Sequence, residues 1–417
     1  MQFVHGAVQW LAADPATTVY SVTGLGRRPA AVKVYWQGLG SATDLVSDTT
    51  HARLGHGFAV SASARRCVTF EDQDAVTTMV CTTAMFTDCI AATVTATGPA
   101  RDGALDIDFN EDGFDLIVDD QAPVDITVFY EVIFGPDVTV AVVGDITEPA
   151  ATGNQDYSVP GFDTAGLGDQ VVFFAGIQNI AADTVTRNNA GICAGCATSG
   201  DSAQNVVAST KTTDNIVSSN GSRYGLAGEC LALITSLGVV GRATLTQFNT
   251  DGFRLNWLAR DTTDRRYIFL AIKGGLWQAG SLTVRTLNVG DNTVVTGLPF
   301  TPRAVSGASV GTVINTAGTA HSNGSTLICG TSTSSSSRRG MSYAPEHLVA
   351  NAAIMLSLQY DLYAPHSAFS VAEAFSQDIT AFSDDGFTQT WIGPDSFGDS
   401  QGWSWYVATG NRKFILH

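Results

Sequence analysis

Three copies of one pattern, spaced almost evenly along 417 residues, limit what this chain can fold into more than any other feature. They are Phe109-Asn110-Glu111-Asp112-Gly113-Phe114, Phe248-Asn249-Thr250-Asp251-Gly252-Phe253 and Phe382-Ser383-Asp384-Asp385-Gly386-Phe387. A second element precedes each copy: Val22-Thr23-Gly24-Leu25, the weaker Val159-Pro160-Gly161-Phe162, and Val295-Thr296-Gly297-Leu298. The interval from that valine to the first phenylalanine of the later motif is 87, 89 and 87 residues. A fixed interval between two motifs means that one supersecondary unit is being repeated.

Two further elements set the boundaries. Pro29-Ala30-Ala31-Val32 matches Pro302-Arg303-Ala304-Val305, and a glycine followed by a small or polar and then an aliphatic residue opens each copy, at Gly6-Ala7-Val8, Gly144-Asp145-Ile146 and Gly280-Ser281-Leu282. The units expected are residues 1–138, 139–275 and 276–417. They abut without a Pro-rich or Ser-rich linker, which predicts packed units and not beads on a flexible string.

The periodicity within a unit is that of strands. Apolar side chains fall two apart after each Asp-Gly, at Phe114, Leu116 and Val118, at Phe253, Leu255 and Trp257, and at Phe387 and Trp391, so alternate residues face a core. Asp-Gly suits a hairpin turn, and Val124–Phe129 and Tyr267–Ile272 supply return arms. The fold predicted is all-β: three tandem β-sandwich, jelly-roll-like repeats of about 135 residues each. His347–Leu358 reads as three helical turns or a buried strand pair. The most polar and least repeated parts of the copies are their middles, Asp183–Gly225 and Thr331–Gly340, and the Ser334–Arg339 run in the latter reads as a solvated loop.

Composition narrows the function. Apolar residues make up 44% of the chain and charged ones only 15%, the reverse of a disordered chain. A net charge of −17 with no basic run argues against nucleic-acid binding through phosphates. Met1–Asp14 has no basic region leading into an apolar one, and no stretch approaches the length of a membrane span, so neither a secretory signal nor membrane insertion is expected. Seven irregularly spaced cysteines predict reduced thiols and synthesis in the cytoplasm.

Several motifs carry possible chemistry. Asp108-Phe109-Asn110-Glu111-Asp112-Gly113, with Asp119 at the twelfth position, has the oxygen spacing of a calcium loop. Asp108 is replaced by Gln247 and Ala381 in the other copies while Asp-Gly persists, so the retained part is the turn, and no metal is expected. Gly307-Ala308-Ser309-Val310-Gly311 matches the nucleophile-elbow pattern, with His321, His347 and His366 as conceivable bases. The strand-forming Thr312-Val313-Ile314 that follows points to a β-turn, which leaves a serine hydrolase at Ser309 as a remote alternative. Cys193-Ala194-Gly195-Cys196 lacks the second pair that a structural zinc site needs and reads as two loop thiols. Asn220-Gly221-Ser222 and Asn323-Gly324-Ser325 read as turns. Trp10, Trp36, Trp277, Trp403 and Trp405 could stack on sugars, though their alternation with polar residues suits core packing better. No cofactor is expected.

The succession of Val-Thr-Gly-Leu, Pro-x-Ala-Val and an Asp-Gly-Phe hairpin resembles the tandem β-sandwich structural and accessory proteins of tailed-bacteriophage virions: head fibres, capsid decoration proteins, and tail or baseplate accessory proteins. The resemblance implies a non-catalytic chain, made in the host cytoplasm, that assembles with itself as a homo-oligomer and with other virion proteins. It carries no functional residue over. The alternative expectation is an adhesin whose divergent loops bind a host-surface glycan or protein.

Overall fold

The computed structural model describes residues 1–49, 51–73, 80–95, 98–162, 168–178, 181–212, 221–235, 238–263, 265–284, 288–311, 327–345, 354–360, 364–367, 373–392 and 402–412. They are all-β, and no helix occurs among them. The strands run β1 (Gln2–Trp10), β2 (Val19–Val22), β3 (Ala31–Gln37), β4 (Leu45–Thr49), β5 (His51–Ser61), β6 (Ala64–Gln73), β7 (Val80–Phe86), β8 (Ala91–Thr95), β9 (Ala100–Asn110), β10 (Gly113–Asp120) and β11 (Ile126–Phe134). Next come β12 (Val138–Thr147), β13 (Gly153–Ser158), β14 (Gln170–Ile177), β15 (Thr184–Arg187), β16 (Ala190–Thr198), β17 (Gln204–Thr212), β18 (Ser222–Ala227), β19 (Leu231–Thr235), β20 (Gly238–Asn249), β21 (Gly252–Ala259) and β22 (Arg266–Gly274). The last are β23 (Leu276–Val284), β24 (Asn292–Val295), β25 (Phe300–Gly311), β26 (Leu327–Ser334), β27 (Ser337–Pro345), β28 (Ile354–Gln359), β29 (Ala364–Ser367), β30 (Glu373–Ser383), β31 (Gly386–Trp391) and β32 (Gly402–Arg412).

These strands form six sheets in three pairs. The large sheets have the orders β1-β11-β3-β5-β6-β7-β15, β12-β22-β14-β16-β17-β18 and β23-β32-β25-β26-β27-β28-β4. The small ones are β2-β10-β9-β8, β13-β21-β20-β19 and β24-β31-β30-β29. Two strands leave their own pair: β15 adds to β7 of the first large sheet, and β4 adds to β28 of the third, both antiparallel. Such arms cover edges that would otherwise present unpaired backbone groups. The β15 arm is pinned by Asp183, whose carboxylate accepts from the Thr87 amide and hydroxyl, both at 2.7 Å.

The repeated motifs meet in one construction. The Asp-Gly hairpin turns through Glu111 and Asp112, with Gly113 already paired to Asn110 on the returning strand. The glycine is therefore not a turn residue. A Cβ at Gly113, Gly252 or Gly386 would lie 1.8–1.9 Å from the carbonyl oxygen of Val22, Tyr157 or Val295, so a close backbone approach excludes every side chain there. Asp112 accepts from the amides of Gly24 (2.9 Å) and Gly26 (2.6 Å), and its carbonyl from Leu25 (3.1 Å). The Asp251 carboxylate likewise accepts from Gly161 (3.0 Å), though its carbonyl accepts from Val159 (2.9 Å), two residues before the glycine; the Asp385 carbonyl accepts from Leu298 (2.9 Å). Gly24, Gly161 and Gly297 have φ of 84°, 76° and 82°, a region costly for residues with a Cβ. The constant interval thus reflects a loop clasped by a distant hairpin.

The opening glycines belong to the same assembly. Gly6, Gly144 and Gly280 pair with Tyr130, Phe269 and Tyr406, whose rings occupy the place where a glycine Cβ would stand. Each ring meets the phenylalanine of its Asp-Gly-Phe edge-on, at 5.3, 5.3 and 4.9 Å between centroids. Edge-to-face geometry favours such pairs beyond their buried area.

The polar middle Asp183–Gly225 is not mainly loop: it contains β15 to β17 and most of β18. The Ser334–Arg339 run is the tip of the β26–β27 hairpin, turning at the exposed Ser335-Ser336, and of the two readings of His347–Leu358 the described part, Ile354–Gln359, is a strand, β28. Serine and threonine side chains satisfy a pleated strand as readily as a loop when both faces are covered, so polarity misled. Residues 347–353 and both Asn-Gly-Ser asparagines, Asn220 and Asn323, lie outside the described residues. Gly113→Ala is expected to lower stability by about 1–3 kcal/mol through overpacking, read as a shifted denaturant midpoint with an unchanged slope.

Candidate functional site

Each large sheet is covered on both faces. Val32, Val34 and Trp36 of β3 point toward the first small sheet, while Ala31 and Tyr35 point into a core shared by all three large sheets. The second pair repeats this with Val172 and Phe174 on one side and Val171, Phe173, Ala175 and Ile177 on the other. Val305 of β25 faces its own small sheet, and Ala308 and Val310 face the shared core. The shared core holds Phe129, Leu270, Trp405 and Val407 as well.

At its centre three matching register positions carry different residues. Lys33 pairs with Glu131, Phe173 with Leu270, and Ser306 with Val407, in each case between the third-in-order strand of a large sheet and its neighbour. The Lys33 Nζ donates to Glu131 Oε2 (2.7 Å) and Ser306 Oγ (3.0 Å), and lies 4.1 Å from the centre of the Phe173 ring. Ser306 Oγ in turn donates to Glu131 Oε1 at 3.0 Å. One ammonium, one carboxylate, one hydroxyl and one aromatic face, drawn from three sheets, therefore satisfy one another where water is nearly excluded. The cavity beside them, lined by Tyr35, His56, Cys329 and Trp405, has a volume of about 30 Å³, room for one or two waters and not for an organic substrate.

Two histidines flank this centre, where the first large sheet meets the third. His5 Nε2 lies 3.0 Å from the Ser337 carbonyl oxygen and 3.1 Å from its hydroxyl, and burial, opposed by that carbonyl and aided by Arg339, lowers its pKa to about 4. His56 Nε2 lies 3.5 Å from Cys329 Sγ. Burial, with the Lys33 charge second, lowers His56 to about 3, and burial pushes the Cys329 thiol up to about 12. Both partners thus stay neutral. An activated Cys–His pair requires the opposite, a depressed thiol beside an imidazolium, so this pair is packing.

The motifs singled out in the sequence are dispersed. Ser309 lies inside strand β25 opposite Ser404, buried, with no hydrogen-bond partner for its Oγ among the described residues. That is not the sharp strand-to-helix turn of a nucleophile elbow. His366 lies on β29 in the third small sheet, and His321 and His347 lie outside the described residues. Asp112 spends its carboxylate on the Gly24 and Gly26 amides, Asp108 accepts from the Phe109 amide at 2.8 Å, and Asp119 is 3.9 Å from Arg101. Among the described residues no three His, Cys, Asp or Glu side chains gather as a metal site. Cys193 and Cys196 sit in strand β16, not in a loop; Cys193 faces the second sandwich core and Cys196 the shared one. Trp10, Trp36, Trp277 and Trp405 are buried.

No protein family and no curated protein matches the chain. Among solved structures, the chain is similar at a TM-score of 0.21 and 8% identity to one described as PNGF-II in a C2 space group, over 93% of this chain and 99% of that one. A likeness that slight carries no argument.

Two outcomes follow from the centre. Lys33→Met, which strands Glu131 in the core, is expected to cost about 3–5 kcal/mol, and the double variant Lys33→Met/Glu131→Leu to recover most of it, as a double-mutant denaturation cycle measures. His5 has a folded pKa below its unfolded value of 6.5, so its contribution is full above that value and is lost as pH falls through about 4. Between those limits wild type should lose roughly 3 kcal/mol more than His5→Gln in pH-dependent unfolding.

Proposed function

We propose that this chain is a non-catalytic structural or accessory component of a bacteriophage virion, a head decoration, fibre, tail or baseplate protein that acts by assembly with itself and other virion proteins. The observation that supports this reading most is the shared interior: three sheet pairs are locked around one buried polar centre and cross-stitched by β4 and β15. This construction makes a stiff block, and stiffness is what a particle component contributes. The resemblance of the turn motifs to tandem β-sandwich virion proteins points the same way.

Particles released from a producing culture should bind immunogold raised against the recombinant chain, and the gold's position on capsid, neck or tail assigns the role. Unlabelled particles, with antigen intact and accessible, would overturn the reading. Saturable adsorption of the chain to cells, competed by soluble sugar, would favour the adhesin instead.

A further inference from the structure

We propose that Cys67 and Cys89 are a latent disulfide, reduced at synthesis and closed once the folded chain meets a peroxide or a small-molecule disulfide. The two sulfurs are 3.7 Å apart and both residues are buried. Cys67 lies on β6 opposite Gly57 of β5. The Ile90 carbonyl presses onto that spot so closely that a Cβ on Gly57 would lie 1.8 Å from its oxygen. The Ile90 amide donates to the Leu105 carbonyl (2.9 Å), and the Asp88 carboxylate receives Arg101 (2.8 Å). Both neighbours of Cys89 are thus anchored, which leaves its side chain in contact with Cys67.

The close approach does not itself require thiols. In the second sheet pair Gly195 receives the Cys230 carbonyl oxygen in the same way, 2.0 Å from where its Cβ would be. There the partner of the glycine is Val206, and the residue before Cys230 is Glu229. The first pair therefore places two thiols where the second places an aliphatic group and a carboxylate. Contact between sulfurs must shorten to about 2.05 Å for a bond. Cys89 can supply that movement, because it lies between β7 and β8 and outside the strand ladder.

The reaction balances simply. Two S–H bonds break, one S–S bond forms, and two protons and two electrons pass to the oxidant: a peroxide O–O bond breaks to give two waters, or a disulfide gives two thiols. The hydrogen bond to Cys67 and then burial raise the Cys89 thiol, so the thiolate is scarce and closure is slow and waits on local opening. The bond would tie the first large sheet to the start of its small sheet across a 22-residue separation, removing conformational freedom from the unfolded chain.

The full chain, purified under reducing conditions, is exposed in native buffer to hydrogen peroxide or oxidised glutathione, quenched and denatured. Titratable thiols should fall from the seven of the reduced chain to five. Cleavage before Asp72, Asp74 and Asp88 separates Cys67, Cys81 and Cys89, and the Cys67 and Cys89 peptides should run joined until reduced. The oxidised chain should unfold more slowly, dithiothreitol should reverse the gain, and Cys89→Ser should lack it. Seven thiols after prolonged exposure, a link through Cys81, or a joined pair that speeds unfolding would each overturn the proposal.

Discussion

Burial of both faces of every large sheet is the constraint on which the rest depends. A sheet covered once can keep polar residues on its free side, but β3, β11 and β14 have no such side. Any charge placed there must find its counter-charge in the interior, since an unpaired ion in low dielectric costs several kcal/mol. Lys33 meets that requirement with partners from two of its neighbours' positions at once, Glu131 on the adjacent strand and Ser306 on another sheet. An apolar set of the same volume could match it in stability; what the polar set adds is registry. Only one arrangement of the three sheets brings ammonium, hydroxyl and ring together.

The outer halves obey a different rule, in which the backbone decides residue identity. Gly113, Gly252 and Gly386 are demanded by a carbonyl oxygen too near for a Cβ, and Gly6, Gly144 and Gly280 by a ring lying across them. Asp112 and Asp251 neutralise the amides that the tight loop turns inward. These demands recur because the same loop closes over the same hairpin each time, whereas the centre, where the three sheets face one another, has to differ from copy to copy.

That contrast explains what could be read from the chain. Residues with one physical solution, glycine under a carbonyl or aspartate on exposed amides, repeat and stand out, and with strand alternation they made the all-β fold visible. Asp112 offered a calcium loop on paper because the same carboxylate spacing serves amides as well as ions. Lys33 was invisible: a lysine inside Ala31–Gln37 reads as solvent-facing, and nothing local says that Phe173 and Ser306 wait across it. The arms were hidden for another reason, since Leu45–Thr49 and Thr184–Arg187 are short and their partners are far away in sequence. The histidine pair at the seam had no signal at all, because burial is a property of the assembled sheets.

The crossing of β4 and β15 also orders events during synthesis. As the chain emerges from its amino end, β7 is complete while the strand that will cover its edge, Thr184–Arg187, does not yet exist, and Leu45–Thr49 has no sheet to join until Ile354–Gln359 is made. The β7 edge is therefore bare only until Arg187 is made, whereas Leu45–Thr49 waits for a partner more than 300 residues further on. Over that interval an unpaired strand is open to another nascent chain, so the interlock that holds the mature molecule together makes synthesis the stage most exposed to mispairing.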